Sequence, residues 1–188
     1  MEPSNEPPRP LVRRAIPTDP AVRSSESLFL TESAGQAGRP SRKLLSSGLA
    51  PAPAAVAERM GVAPGDDLLT RRRLMLVDDV PVRVAVSYFH PVTPEAPELS
   101  GGTFLERGLQ ALYERHGRRF GRAEETLVAR PPAPEEVQLL ELEEGEPVVE
   151  ILRTSYDEQD TPVHTLQTIC AASRHVFQVR QPPDDSIF

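Results

Sequence analysis

Arg71 and Arg73 lie two residues apart in an extended apolar stretch, so their side chains share one face of it. Arg83, Ala85 and Ser87 share a face of the next such stretch, and His164, Leu166, Thr168 and Cys170 share one much later in the chain. Polar groups on neighbouring strands, set among apolar ones, are the usual makings of a small-molecule pocket. The same alternation also fits arginines that simply face solvent. Cys170 is the single cysteine. It excludes an intramolecular disulfide, does not suit a zinc site, and reads most simply as a small buried residue on a strand.

Catalytic patterns of usable specificity do not emerge. His90, His116, His164 and His175 are scattered with no HExxH or CxxC partner, and Ser100-Gly101-Gly102 lacks the residues of a nucleophile elbow. The acidic runs Glu124-Glu125 and Glu141 to Glu146 read as solvated faces. No residue is assigned a catalytic or metal-binding role, and nothing in the pattern asks for a cofactor.

The elements that would position these residues repeat. Asp66 to Pro91 reads as two strands joined at Asp78-Asp79. A shift of about eighty positions lays Val56, Met60, Gly65 and Arg73 near Val137, Leu140, Gly145 and Arg153. Each copy reads as a short helix, a glycine, a strand, an acidic turn, a proline and a second strand, which is one supersecondary unit used twice. The short helices are expected at Pro53 to Met60 and Pro134 to Leu140. An amphipathic helix with Thr103 at its N-cap is expected over Phe104 to Tyr113. Strands are also expected around Arg42 to Leu49, after Gly121, and at Val176 to Val179. The fold class is α+β, an antiparallel sheet of about six strands with helices packed on one side.

The chain has 188 residues and 38% hydrophobic content, enough for one well-buried domain. Residues 1–26 hold six prolines and no apolar periodicity, which predicts a flexible arm or linker. Residues 27–181 are then the folded domain and 182–188 a tail. There is no run of eighteen apolar residues and no secretory leader pattern, so a cytoplasmic protein without membrane attachment is expected. The net charge of -7 makes direct DNA binding by this chain alone unfavourable.

The segments LFLTESAGQAGRPSRKLL, PAAVAERMGVAPGDDLLTRRRLMLVDDVPV, TFLERGLQALYERHGRRFGRAEETLVA and LLELEEGEPVVEILRTSYDEQDTPVH together resemble the effector-binding UTRA domain of HutC-type regulators in the GntR family. The resemblance spans about Leu28 to Val179. It implies a fold akin to chorismate lyase, a homodimer, and a sensor whose small-molecule effector alters the operator affinity of a winged-helix domain. The winged helix would need about seventy residues before this region, and some twenty-six are present. The chain is thus either an excised domain or a stand-alone relative. Two alternatives stand beside the sensor: an enzyme of chorismate-lyase type, and a protein that modulates full-length regulators without binding DNA.

In members that bind amino-sugar phosphates, an arginine on the first hairpin strand grips the phosphate, and Arg73 matches it. Their second arginine falls at Met75, and a hydroxyl at the start of the long helix falls at Thr103. Two glutamates fall at Ala85 and His164, and a tyrosine falls at Cys170. With Arg71 and Thr168 these residues form the expected ligand site. Its departures from the pattern imply an effector that is anionic and less sugar-like than an amino-sugar phosphate.

Overall fold

Asp78 and Asp79 both adopt positive φ, 49° and 64°. That is the backbone of a two-residue hairpin turn whose twist suits antiparallel strands, and aspartate tolerates it. The turn joins β3 (Asp67–Val77) to β4 (Val80–Phe89). The second hairpin joins β6 (Val148–Asp157) to β7 (Pro162–Ala171). Here the Asp157 carboxylate accepts the backbone N–H groups of Gln159 and Thr161 at 3.0 and 2.9 Å, fixing a longer turn. The structure, a computed structural model, describes residues 12–16, 38–91, 99 and 108–179.

The two hairpins meet along β4 and β7 and are flanked by β2 (Pro40–Pro51) and β5 (Phe120–Arg130). The result is a six-stranded sheet in the order β2-β3-β4-β7-β6-β5, antiparallel throughout. Val86 faces Gln167 at the seam, and an approximate two-fold through that pair relates the halves. Each half is strand, short helix, hairpin: β2, α1 (Ala54–Met60), β3 and β4, then β5, α3 (Pro134–Leu140), β6 and β7. The repeat expected from the sequence is therefore present, with a leading strand added to each unit. Gly65 and Gly145, matched by the eighty-residue shift, both hold positive φ, 88° and 78°, just before a hairpin's first strand.

Both faces of the sheet are covered. On one, Val56, Ala57 and Met60 of α1 pack with Leu68, Tyr88 and Leu152. There too Leu140 of α3 packs with Leu74, Val84 and Ile169. On the other face lies α2 (Gly108–Arg115), whose Leu109, Leu112 and Tyr113 pack with Phe89 and Val163. A parallel two-stranded ribbon of β1 (Val12–Ile16) and β8 (His175–Val179) covers more of that face, with Val12 among Met75, Val82, Ala85 and Leu166. The expectation of helices on one side holds for α1 and α3 and is corrected for α2. The reason lies in β4: Arg83, Ala85, Ser87 and Phe89 are as buried as the valines they alternate with, so both faces need a cover.

Five residues of the expected arm, 12–16, form β1. The N-cap at Thr103 and the tail from 182 lie outside the described residues.

Candidate functional site

Paired residues of antiparallel strands point to the same side of a sheet, so the register locates every candidate. One row runs from edge to edge: Ser47, Arg71, Ser87, Leu166, Arg153, Glu125. The next, about 7 Å along the strands, holds Arg73, Ala85 and Thr168. The one after that holds Met75, Arg83 and Cys170. His164 pairs with Phe89 on the far side of the first row. Arg71, Arg73, Met75, Ala85, His164, Thr168 and Cys170 thus share the face that α2 and the β1–β8 ribbon cover. Thr103 lies outside the described residues.

The arginines do not face solvent. Arg71 and Arg73 are each 1% exposed, and Arg73 Nη2 donates to Ser87 Oγ at 2.7 Å. A buried guanidinium needs hydrogen-bond and charge partners, because leaving water costs several kcal/mol per ion. Cys170 forms no disulfide and is fully buried, in line with a packed strand residue. His164 is buried against the Phe89 ring, with centroids 5.2 Å apart. Burial first, then the Arg73 and Arg153 charges, push its pKa down to about 3, so it is neutral at physiological pH. His175 in β8 is held at about 3 by burial and then by the Arg83 charge, with the Ala171 carbonyl acting the other way.

Arg14, Arg153 and Glu125, linked charged groups on this face, were not among the expected site residues. Arg14 of β1 donates from Nη2 to Glu125 Oε2 at 2.7 Å, and Arg153 Nη1 approaches the same oxygen at 3.5 Å. Arg14 and Glu125 are 5% and 8% exposed at the side chain. Arg14 sits in a proline-rich stretch without periodicity, and Glu125 in an acidic run that reads as a solvated face. Arg153 did carry a signal, since the eighty-residue shift sets it against Arg73.

The opposite face carries a groove of about 370 Å³ beside the start of α3, lined by Thr70, Arg72, Val84, Tyr88, Gln167 and Ile169 among others. Across it Arg72 Nη1 donates to Glu135 Oε1 at 2.6 Å. None of the expected site residues lines this groove.

The family model of the UTRA domain matches residues 35–176. The chain belongs to the UTRA domain family. It is 32% identical over 130 residues to an uncharacterized HTH-type transcriptional regulator of Streptomyces coelicolor, covering 67% of this chain and 48% of that protein. A second HTH-type transcriptional regulator, from Mycobacterium tuberculosis, is 28% identical over 145 residues, covering 76% and 53%. This UTRA chain therefore spans about half the length of the curated relatives it matches. Among solved structures it resembles the effector domain of PhnF from Mycobacterium smegmatis. The TM-score is 0.66 at 20% identity, covering 90% of this chain and all of that one. The longer PhnF structure gives 0.68 at 20% identity, with 94% and 74% covered. The UTRA fold thus has the architecture of effector domains of GntR-family transcriptional regulators.

Proposed function

We propose that the chain is the small-molecule sensor module of a HutC-type GntR-family regulator, and that its effector binds on the sheet face carrying Arg71, Arg73 and Arg153. The observation that supports this most is the gathering of seven expected site residues on one covered face, with a buried Arg73–Ser87 pair among them. A guanidinium with a hydroxyl beside it is suited to a carboxylate or phosphate oxygen. Ala85 and neutral His164 stand where sugar-phosphate-binding relatives carry glutamates, which favours an anionic effector with a less hydroxylated body. A charge-assisted hydrogen bond is worth about 1.5–3 kcal/mol. Two missing carboxylates therefore remove enough affinity to disfavour an amino-sugar phosphate.

The module would act as a cytoplasmic homodimer. Effector binding would favour one arrangement of the dimer and so the spacing of attached or partner winged-helix domains, to the extent that the two arrangements differ in affinity for it. With a net charge of -7, DNA contact would fall to those domains. Among the described residues no helix is long and apolar enough to cross a membrane.

Native mass spectrometry of protein purified from its own host tests the reading. A dimer retaining an anionic small molecule, lost in Arg73→Ala, is expected. An empty protein, or a molecule retained equally by Arg73→Ala, contradicts it, as does micromolar calorimetric affinity for glucosamine-6-phosphate.

A further inference from the structure

β1 lies outside residues 35–176, the span that matches the family model. It nonetheless packs into the face that carries the candidate site. Val12 is fully buried among Met75, Ala85 and Leu166, two of which are expected site residues. Arg14, two residues on and therefore on the same side of β1, reaches Glu125, which pairs with Arg153 in the row that also holds Arg71 and Ser87. The ion pair is only half used. Arg14 Nη1 and Glu125 Oε1 are buried with no hydrogen-bond partner among the described residues, though both side chains are more than nine-tenths buried. A buried donor or acceptor left without a partner costs about 1–3 kcal/mol. One such atom on each member of a single ion pair marks a place where a group outside the described chain completes the bonding.

We propose that β1 is a wall of the effector site, and that Arg14 and Glu125 form its second pole, a buried donor beside a buried acceptor. A group that can accept from Arg14 Nη1 and donate to Glu125 Oε1 at once is a hydroxyl or a primary carboxamide. A carboxylate or phosphate satisfies the first atom and is repelled by the second. The effector class is then an anion at Arg73 joined through a largely apolar body to one hydroxyl or carboxamide. The inference rests on the sensor reading and adds the chemistry of the end away from the anion. It also puts the strand that follows residues 1–11 in direct touch with the effector, so occupancy bears on how β1 is held.

Calorimetric titration of the full chain with two matched pairs of probes tests this: propyl phosphate against 3-hydroxypropyl phosphate, and butanoate against 4-hydroxybutanoate. In the pair whose anion suits Arg73, the hydroxylated probe should bind at least about tenfold tighter, the factor that one of its two hydrogen bonds supplies alone. Arg14→Ala and the near-isosteric Glu125→Gln, each checked for retained secondary structure by circular dichroism, should bring that ratio close to one. Arg73→Ala should lose both members of the pair. Equal affinity within each binding pair, or a ratio untouched by both substitutions, overturns the second pole and leaves the sensor reading standing. No binding of any of the four probes overturns the anion pole and the inference together.

Discussion

Arg73 and Arg153 occupy equivalent positions in the two halves of the sheet, related by the approximate two-fold between Val86 and Gln167. Each lies on the first strand of its hairpin, and they pair with Ala85 and Leu166, which the same two-fold relates. Both guanidiniums are therefore on one face, on either side of the β4–β7 seam, and both depress the pKa of His164 between them. The second half differs at the next strand outward. Leu44 pairs with Arg73, whereas Glu125 pairs with Arg153. One arm of the site is thereby left with an apolar flank and the other is drawn into an ion pair.

That asymmetry ranks two substitutions. Arg73→Ala should weaken effector binding by roughly tenfold to a hundredfold, the loss of one charged hydrogen bond. Arg153→Ala should weaken it less, because the Arg153 charge is shared with Glu125. Calorimetric titration of both variants with the molecule recovered from the wild-type protein measures the order.

The two buried histidines make stability depend on pH. Their folded pKa values, about 3, lie below the unfolded value near 6.5, so below pH 6.5 the unfolded chain binds more protons and stability falls as pH falls. Between pH 7 and pH 5 each contributes a loss of about 2 kcal/mol. Urea unfolding across that window should show stability rising with pH, and His164→Gln should make the rise shallower by about one proton.

Gly121 and Gly145 are required for different reasons. A Cβ at Gly121 would lie 2.8 Å from the Asp157 carbonyl oxygen, which is backbone and cannot swing aside. A Cβ at Gly145 meets nothing but would be strained at φ 78°. Gly121→Ala should destabilise by about 1–3 kcal/mol through crowding, and Gly145→Ala by about 1 kcal/mol. Thermal denaturation of the two variants checks the ranking.

Met60 and Leu140 close the cores beneath the two repeated helices and are both fully buried. Met60→Ala and Leu140→Ala should each cost about 2–5 kcal/mol. Their effects should add, since they sit in separate clusters, one under α1 and one under α3. Chemical denaturation of the single and double variants tests that additivity.

Much of this arrangement was legible in the residues. Alternation in β3, β4 and β7 put Arg73, Ala85, Thr168 and Cys170 on common faces, and the turn aspartates fixed the first hairpin. The repeat predicted two related halves and set Arg153 against Arg73. Three things were hidden, each for a physical reason. Which face α2 covers is not written locally, because a helix's amphipathic stripe says that it packs without saying on which side. Arg14 lies in a five-residue strand whose pairing with β8 spans the whole chain, far beyond any local period. Glu125 looks solvated in sequence because an acidic run reads as surface, and only the strand register turns one of its two carboxylates inward.

The effector is expected to bind on the face of Arg73 and Arg153 and not in the groove beside α3. The chain has three methionines, Met1, Met60 and Met75. Met75 lies on the proposed face, and Met60 under α1 on the other. With methyl-13C methionine, adding back the molecule recovered from the native protein should shift the Met75 signal and leave Met60 in place. A shifted Met60 with an unmoved Met75 would contradict it.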